Sequence, residues 1–278
     1  DSGSAMFEYT AFYVQAFVDN THVQIDANHD ADFTDPGDVD VFLNQGQTVV
    51  SGANVLEGGR VITDKPVQVN LVTGDINANF ASRSFTLYSD AQAYEEAFTP
   101  VGFGGTGDDT DDEVRIYVHN PTAANISIRT ESFGSVFTAA VVVAPGDTIG
   151  IDVNGNTGTR VFSVGGQDFL ALGVHDRDST THDWGFNLQP TSSLSQIALV
   201  GLGVGNSSNP TTNPVPATVG NYSPIFVTAL PVAGFTTQVF VDHDGNGTID
   251  QTLTLGRLET ARVRDTTTDV DPGTAGIQ

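Results

Sequence analysis

Apolar and polar residues alternate along most of this chain, in short segments that turn residues separate. Because successive side chains of a strand point to opposite faces of a sheet, alternation with a period of two predicts β-strands. The segments are rich in Val, Ile, Phe, Tyr and Thr, and Asn-Pro, Pro-Gly, Gly-Gly, Asp-Gly and Asn-Gly pairs predict the turns between them. The sequence therefore predicts an all-β fold of sandwich-type domains. The alternating segments are EYTAFYVQAFV, HVQID, VDVFL, PVQVNLVTG, EVRIYVHN, ISIRTES, AAVVVAP, TIGIDV, TRVFSV, QIALVGLGVG, SPIFVTAL and QVFVD.

One segment, residues 89–98 (SDAQAYEEAF), has a different pattern. Tyr94 and Phe98 are four residues apart, which would place them on one face of a helix. Ser89 belongs to the residue types that cap helix N-termini well, and it begins the segment. We expect one short helix here and strands elsewhere.

Two segments without apolar periodicity divide the chain. Residues 102–113 (GFGGTGDDTDDE) are Gly-rich and then acidic, and residues 205–221 are rich in Pro, Asn and Thr. These boundaries predict two or three domains. A β-sandwich with a first repeat copy occupies residues 1–105, a second β-sandwich occupies residues 112–200, and a second, shorter repeat copy occupies residues 201–278. The last segment either stands alone or packs with residues 112–200 as one domain.

An internal repeat relates the two ends of the chain. Each copy has a strand, a second strand that ends in Asp, an acidic loop and a segment that runs from Leu to Gly. The first copy carries a six-residue insertion before that last segment. Convergent loop composition is the alternative to a true repeat. The matched segments are 13–16 with 226–229, 23–26 with 239–242, 26–35 with 242–250, and 43–46 with 253–256.

The acidic loop of the second copy, DHDGNGTID, has the spacing of a calcium loop. Calcium binds six to eight oxygen atoms at about 2.3–2.6 Å, and Asp and Asn at alternate positions supply them from a tight loop. Gly247 stands at position 6, where the sharp turn falls, but Leu253 stands at position 12, where a helix–loop–helix site has Glu. The last carboxylate must then come from another loop or another subunit. An Asp-rich hairpin without an ion is the alternative. The predicted ligands are Asp242, Asp244, Asn246, the Thr248 carbonyl and Asp250.

The acidic loop of the first copy, DANHDADFTD, is a second candidate calcium site. Asp26, Asn28 and Asp30 match positions 1, 3 and 5 of the loop. Asp32 and Asp35 could complete the ligand set, although no Gly stands at position 6. A solvated acidic hairpin that orders no ion is the alternative.

The other polar clusters carry weaker signals. The run GTGDDTDDE, residues 105–113, could hold a third ion, although charge runs are usually solvated. Residues 175–184 (HDRDSTTHDW) combine His and Asp, yet their spacing favours turn hydrogen bonding over a transition-metal site. The chain has no nucleophile elbow, P-loop, HExxH motif or Rossmann glycine pattern. We therefore predict no catalytic residues and no enzymatic activity.

The charge balance is strongly acidic. The 278 residues include 34 Asp and Glu against 10 Lys and Arg, the formal charge is −24, and Lys65 is the only lysine. Such a surface stays soluble when molar salt shortens the screening length to about 3 Å, which predicts a halophilic protein; an ordinary acidic secreted protein is the alternative. The acidic surface also repels nucleic acid. No apolar run has membrane-spanning length, and a chain without cysteine forms no disulfides. Four N-glycosylation sequons, at Asn125, Asn206, Asn221 and Asn246, fit a surface or secreted protein, so we expect an extracellular or cell-surface location.

The first copy resembles the amino-terminal region of the IgGFc-binding-protein family. Three segments in the same order carry the resemblance: THVQID at residues 21–26, LNQGQT at 43–48 and ITDKPVQV at 62–69. The second copy has no DKPV segment, and the acidic loops are longer than the resemblance implies. The resemblance implies an extracellular, modular role in adhesion or structure. It offers no active site to transfer, and immunoglobulin binding is not carried over.

These features predict an extracellular structural or adhesive protein, such as a subunit of a surface filament or a surface-layer-like assembly, with structural calcium in its Asp-rich loops. The β-prone run that begins at Met6 and ends at Val18 could complete an unfinished sheet in a neighbouring subunit by strand exchange. Pairing of that run within its own domain is the alternative. The competing function is a carbohydrate- or protein-binding module of a larger secreted adhesin or enzyme.

Overall fold

In the computed structural model, the described residues form antiparallel sheets, and their only helical elements are three-residue 3-10 turns. The prediction of an all-β fold with several separate sheets is therefore confirmed. The structure describes residues 7–52, 54–74, 82–100, 112–134, 138–153, 157–177, 184–199, 225–230, 233–242, 246–263 and 276–277.

The first sandwich contains seven strands, which are β1 (Tyr9–Ala16), β2 (Thr21–Asp26), β3 (Val39–Leu43), β4 (Thr48–Val50), β5 (Arg60–Thr63), β6 (Val67–Gly74) and β7 (Ser82–Thr86). A four-stranded sheet in the order β4-β1-β6-β7 packs on a three-stranded sheet in the order β3-β2-β5. Alternate residues of the central strands form the core, with Phe12 and Val14 of β1 against Val23 and Ile25 of β2. The alternation in the sequence thus marks the inward faces.

The second sandwich contains nine strands, which are β8 (Glu96–Thr99), β9 (Asp112–His119), β10 (Ile126–Ser132), β11 (Val141–Val143), β12 (Thr148–Val153), β13 (Thr159–Ser163), β14 (Leu170–Arg177), β15 (Trp184–Asn187) and β16 (Gln189–Pro190). Its sheets have the orders β12-β9-β14-β15 and β11-β10-β13-β8-β16. Ile116, Ile128, Val161 and Phe169 are fully buried in its core.

The third sandwich is smaller. Its strands are β18 (Ile225–Thr228), β19 (Thr237–Asp242), β20 (Gln251–Leu255), β21 (Thr260–Val263) and β22 (Gly276–Ile277), and β17 (Ala198–Leu199) pairs at its edge. One sheet has the order β17-β22-β19-β20 and the other is the pair β18-β21. Val239, Val241, Leu255 and Val263 form its buried core.

One strand arrangement recurs in all three sandwiches. In the first, β1 pairs with β4 and β6, and β2 pairs with β3 and β5. In the second, β9 pairs with β12 and β14, and β10 pairs with β11 and β13. In the third, β18 pairs with β21, and β19 pairs with β20 and β22. The sequence repeat relates only the first and third, so the pairing reveals a middle copy. The domain boundaries themselves stay a prediction.

The turn between the third and fourth strands of each copy has the same geometry. Gly46, Gly146 and Leu258 occupy equivalent places and each donates its amide, at 2.8–2.9 Å, to a carbonyl at the end of the first strand. Their φ values are 79°, 78° and 60°. Leu258 is the exception among them, because a side chain costs about 1–2 kcal/mol in this left-handed region. Its side chain is almost fully buried, which offsets that cost.

The predicted helix at residues 89–98 is wrong. A 3-10 turn covers only Asp90–Gln92, and the chain then enters β8. The Tyr94 backbone pairs with Phe169, and the Tyr94 hydroxyl lies 3.2 Å from the Ala171 carbonyl oxygen. A helix this short is marginal by itself, whereas the sheet gives the same backbone a full set of partners and buries its aromatic rings.

The run from Met6 to Val18 contributes β1, which pairs with β6 along all eight of its residues and with β4 along three. In this structure the run therefore pairs inside the first sandwich. Within the described part of the chain, no helix has the length and apolar character needed to cross a membrane. The predicted boundary segments at 102–111 and 205–221, which include most of the third acidic run, lie outside the described residues.

Shortening Ile128 should destabilise the second sandwich. Ile128 is fully buried, so Ile128→Ala should lower the free energy of unfolding by about 2–5 kcal/mol. Val142 on the neighbouring strand is 59% exposed, and Val142→Ala should change it by less than about 0.5 kcal/mol. Urea unfolding measures both changes in free energy, and the fluorescence of Trp184, the single tryptophan, on β15, monitors the transition. Equal losses in the two variants would contradict the assigned core.

Candidate metal site

Asp26 ends β2 and organises the loop that follows it, residues 27–38, which we name the first Asp loop. Its side chain is fully buried. The carboxylate accepts hydrogen bonds from the amides of Asp30 (3.2 Å) and Ala31 (3.1 Å) and from Arg60 Nε (3.2 Å). These partners satisfy a charge that would otherwise be costly to bury. Asp26, predicted as a ligand, thus holds the loop from beneath.

Four other carboxylates of the first Asp loop form a cluster on the surface. One oxygen from each of them lies within 4.8 Å of the others. Three of the four, Asp30, Asp32 and Asp35, are among the predicted ligands. The fourth, Asp38, is not, although the sequence shows it immediately before β3. Asp38 is fixed by two amides, those of Ala27 (2.9 Å) and Asp35 (3.1 Å).

Asn28, also predicted as a ligand, bridges two members of the cluster. Its Nδ2 donates to Asp30 Oδ2 (3.1 Å) and to Asp35 Oδ2 (2.8 Å). The amide group therefore supplies partial positive charge between two carboxylates. Rotation of the Asn28 amide by half a turn would present its oxygen, the atom that binds hard cations, to the same position.

The pKa values of Asp30 and Asp35 shift in opposite directions. The Asp32 amide, 3.0 Å from Asp30 Oδ1, lowers the pKa of Asp30. The hydrogen bond from Asn28 lowers the pKa of Asp35, but contact with Asp30 and the charges of Asp32 and Asp30 outweigh that bond and raise it. One carboxyl group of the pair thus resists ionisation because its neighbours are already charged.

The cluster offers only oxygen donors, which suits hard cations. Calcium, magnesium and manganese bind carboxylates, carbonyls and water, whereas zinc and copper favour nitrogen and sulfur. Four carboxylate oxygens that lie within 4.8 Å of one another could bind a divalent cation, with water molecules completing its shell. The donor set does not distinguish calcium from the other hard cations.

The structure describes the second Asp loop, residues 243–250, from Asn246 onward, and that part is built on the same frame. The Asp242 carboxylate accepts from the amides of Asn246 (3.2 Å) and Gly247 (2.7 Å), as Asp26 does from the amides at its own positions 5 and 6. At position 7, the Thr248 amide donates to Asn246 Oδ1 (2.7 Å). Asp250 donates its amide to the Val241 carbonyl at 2.8 Å and closes the hairpin. The remaining predicted ligand, Asp244, lies outside the described residues.

The missing glycine at position 6 of the first Asp loop has a structural explanation. Ala31 stands there with φ of 71°, and Gly247 stands at the equivalent place with φ of 87°. Both loops thus make the left-handed turn that position 6 needs. The sequence conceals this equivalence because alanine adopts the conformation at a cost.

The strand register corrects the predicted alignment of the two copies. Thr21 pairs with Leu43 and Thr237 pairs with Leu255, so the equivalent of Leu43 is Leu255, two residues beyond the predicted Leu253. Residues 26–38 span thirteen positions and residues 242–250 span nine, so the insertion has four residues, and the predicted value of six is wrong. This register makes Asp38 the counterpart of Asp250.

The first Asp loop also lies against the second sandwich. Gly58 leaves room for the His29 ring, since a Cβ at Gly58 would stand 2.1 Å from His29 Nδ1. The same ring lies 3.6 Å from the point where a Cβ of Gly146 would be. Nearby, the Thr148 amide donates to Glu57 Oε1 at 2.7 Å. The acidic cluster is therefore close to a junction between two sandwiches.

Of the remaining predicted segment, residues 175–184, the structure describes residues 175–177 at the end of β14 and Trp184 at the start of β15. His175 pairs with Trp184 through the backbone, and residues 178–183 lie outside the described residues. No family model, curated protein or solved structure matches this chain. The resemblance to the IgGFc-binding-protein family therefore stays a prediction.

Exchanging alanine and glycine at position 6 should change the stabilities of the two loops in opposite directions. Gly247→Ala should destabilise the second Asp loop by about 1 kcal/mol, and Ala31→Gly should stabilise the first by up to about 1 kcal/mol, because a side chain is strained at positive φ. Hydrogen exchange of the loop amides, measured by mass spectrometry, reports both changes.

Ala93→Gly provides the control for this exchange. Ala93 has φ of −59°, where glycine adds only conformational freedom to the unfolded chain, so this variant should be destabilised. If Ala31→Gly is destabilised in the same way as Ala93→Gly, the proposed equivalence of the two loops is wrong.

Proposed function

We propose that this protein is an extracellular structural or adhesive protein, a subunit of a surface filament or surface-layer-like assembly that calcium stiffens. The observation that carries the proposal is the position of the acidic cluster beside the contact of two sandwiches, where His29 packs between Gly58 and Gly146. An ion at this place would immobilise the loop that forms the contact. It would therefore limit movement between neighbouring modules.

The electrostatics of the first Asp loop support a cation there. The charges of Asp32 and Asp30 help to raise the pKa of Asp35. A divalent cation would replace that repulsion with attraction. Calcium is the hard cation most tolerant of irregular coordination, which a surface loop of this length would give it.

The surface charge supports a location in a salty medium. A formal charge of −24 on 278 residues is distributed as 34 acidic groups against 10 basic ones. Salt that shortens the screening length to a few ångströms removes the repulsion between such subunits. A halophilic assembly would use the acidic surface for solubility and its module ends for contact.

Self-association is part of the proposal, and the position of β1 restricts how it occurs. Strand exchange through the run from Met6 to Val18 would have to break the pairing of β1 with both β4 and β6. A contact that leaves β1 in place avoids that loss. We therefore favour association through the ends of the molecule over strand exchange.

A carbohydrate- or protein-binding module is the second candidate, and one feature of the first sandwich favours it. His22 and Phe42 stack on the outer face of the β3-β2-β5 sheet with ring centroids 4.5 Å apart, and Phe42 is 62% exposed. Beside them, Asp40 accepts hydrogen bonds from Gln24 (2.9 Å) and pairs with His22 (2.6 Å). An aromatic surface with polar neighbours is the chemistry that sugar rings bind.

Calcium should raise the melting temperature of the wild-type protein after chelator treatment, at fixed salt. An ion bound only by the native state stabilises it by RT ln(1 + [L]/Kd). Asp35→Asn should lose most of that rise. Without calcium the same variant should melt at or above the wild-type temperature at neutral pH, because the raised pKa shows that the ionised Asp35 is disfavoured in the fold.

The pH dependence and a matched variant complete this test. Because the pKa of Asp35 is raised, its contribution favours the fold below the ordinary carboxyl range and is lost as pH rises, so any gain from Asp35→Asn should disappear in acid. Asp168 is exposed in the second sandwich, and Asp168→Asn should keep the full response to calcium. A wild-type protein whose melting temperature ignores calcium would contradict the metal site.

Sedimentation velocity in molar salt with calcium should detect species several times heavier than the 29.2 kDa chain, and negative-stain microscopy should show filaments or sheets. Chelation should reduce the assembled fraction. A chain that stays monomeric in every condition and binds glycans in a way that Phe42→Ala abolishes would replace the assembly proposal with the binding module.

A further inference from the structure

The four-stranded sheet of the first sandwich has an outer face without charged side chains. We propose that this face binds a neutral polysaccharide, whose sugar rings stack on Tyr9 and Tyr13. This inference rests on the adhesive role in the proposed function and names its class of ligand. A monomer can bind in this way, so the binding is measured separately from assembly.

The strand register identifies the side chains of this face. Phe12 and Val14 of β1 point into the core, so the alternate residues that begin at Tyr9 point outward. The pairing of β1 with β4 and β6, and of β6 with β7, extends this assignment across the sheet. None of these outward residues is charged, and most are exposed. We name the outward residues of the four strands the tyrosine face; its polar members include Gln15, Thr48, Gln68, Asn70, Ser84 and Thr86.

Two tyrosine rings lie along the tyrosine face. Tyr9 and Tyr13 are four residues apart on β1, a distance of about 13 Å at about 3.3 Å per residue. A hydrogen bond between the two side chains raises the pKa of Tyr9, so their hydroxyl groups meet. Over this distance the hydroxyl groups meet only if both rings extend toward each other along the strand. Ala11, between them on the same face, is accordingly 1% exposed, whereas the tyrosines are 38% and 37% exposed.

This aromatic strip and its surroundings match the two kinds of surface on a sugar ring. The C–H groups of a pyranose form an apolar face that packs on an aromatic ring, and the hydroxyl groups lie around its rim. Amide side chains can donate to those hydroxyl groups and accept from them. Gln15 and Gln68 stand opposite each other next to the strip, and Asn70 stands opposite Tyr13. The face therefore offers both stacking and hydrogen bonding to a sugar chain.

Two amide oxygens beside Thr86 lack hydrogen-bond donors. Asn70 Oδ1 and Asn187 Oδ1 are shielded from solvent, and neither meets a donor among the residues that the structure describes. Asn70 pairs with Thr86 across β6 and β7, and Asn187 Nδ2 donates to the Thr86 carbonyl at 2.7 Å. A shielded acceptor without a donor is unfavourable. A hydroxyl group of a ligand, met by a turn of either amide, would supply the donor.

The absence of charge selects among the possible ligands. Nucleic acid and acidic glycans need Lys or Arg opposite their anionic groups, and the tyrosine face has neither. The core of an interface between two copies is mainly apolar, whereas amide and hydroxyl groups surround the strip here. By contrast, the outer faces of the second sandwich carry ion pairs, Arg115 with Asp152 and Arg160 with Glu131. A neutral polysaccharide is the ligand that fits the tyrosine face.

A pull-down on insoluble polysaccharides tests this binding with the full-length chain. Cellulose, chitin, mannan and starch are the neutral probes, and carboxymethyl cellulose is a charged counterpart of cellulose. Molar salt screens attraction between charges, so retention that persists in it comes from other contacts. We expect at least one neutral probe to retain the wild-type chain. Retention on carboxymethyl cellulose alone would contradict a neutral ligand.

Tyrosine variants locate the site. Tyr13→Ala removes one ring of the strip and should raise the Kd for the retained probe about tenfold or more, whereas Tyr13→Phe keeps the ring and should change it less than about threefold. Phe42→Ala is the matched control, because Phe42 is an exposed aromatic ring on the other sheet of the same sandwich. It should leave the Kd unchanged. If Tyr13→Ala does not fold, Tyr9→Ala makes the same test at the other ring.

The possible failures point to different causes. Binding that Phe42→Ala abolishes and Tyr13→Ala preserves would place the site on the other sheet and overturn the inference. Wild type that no neutral probe retains would also overturn it, and loss of assembly in Tyr13→Ala would then identify a second copy as the occupant. Wild type that assembles without binding a probe leaves the proposed assembly intact. Wild type that binds a probe as a monomer contradicts the assembly and leaves the polysaccharide site intact.

Discussion

Each sandwich has a carboxylate near the end of its second strand, and the partners of that carboxylate organise the chain around it. Buried or half-buried charge is costly unless hydrogen bonds and opposite charges surround it. Asp26 obtains two loop amides and Arg60, and Asp242 obtains two loop amides. Glu131 instead pairs with Arg160 and with Arg257 of the next sandwich, which lower its pKa. The same position thus either folds an acidic loop or binds the neighbouring module.

Alternation was enough to predict the all-β class, because most inward residues of the strands are apolar and each sandwich supplies many of them. The middle copy escaped detection for a physical reason. Its identity lies in backbone pairing, which most side chains can satisfy, while the acidic loop that marks the other copies is absent from residues 133–140. The failed helix at residues 89–98 shows the converse, since a spacing of four also fits a strand when a partner is available.

The candidate site was predictable in part. Asp30, Asp32 and Asp35 follow from spacing alone, whereas the inward role of Asp26 depends on Arg60, 34 residues away. Asp38 was missed because a four-residue insertion separates it from the calcium-loop numbering, and only the pairing of β2 with β3 shows it to be the counterpart of Asp250. Sequence spacing describes a loop well only when no residues are inserted within it.

The described sandwiches meet at two junctions. The first joins the first and second sandwiches beside His29, and the second joins the second and third through Arg257 and Glu131. The two junctions differ in what holds them, and this difference bears on their stiffness. At the second, Arg257 is a fixed cation that belongs to the chain and contacts Glu131 through two nitrogens, so this contact needs no exchangeable ion. At the first, the carboxylates of Asp30, Asp32, Asp35 and Asp38 stand close to the contact, with the neutral Asn28 amide between two of them. An exchangeable cation would complete there what arginine completes in the second junction. The first junction would then stiffen or relax with the ion content of the surroundings, and the second would stay closed.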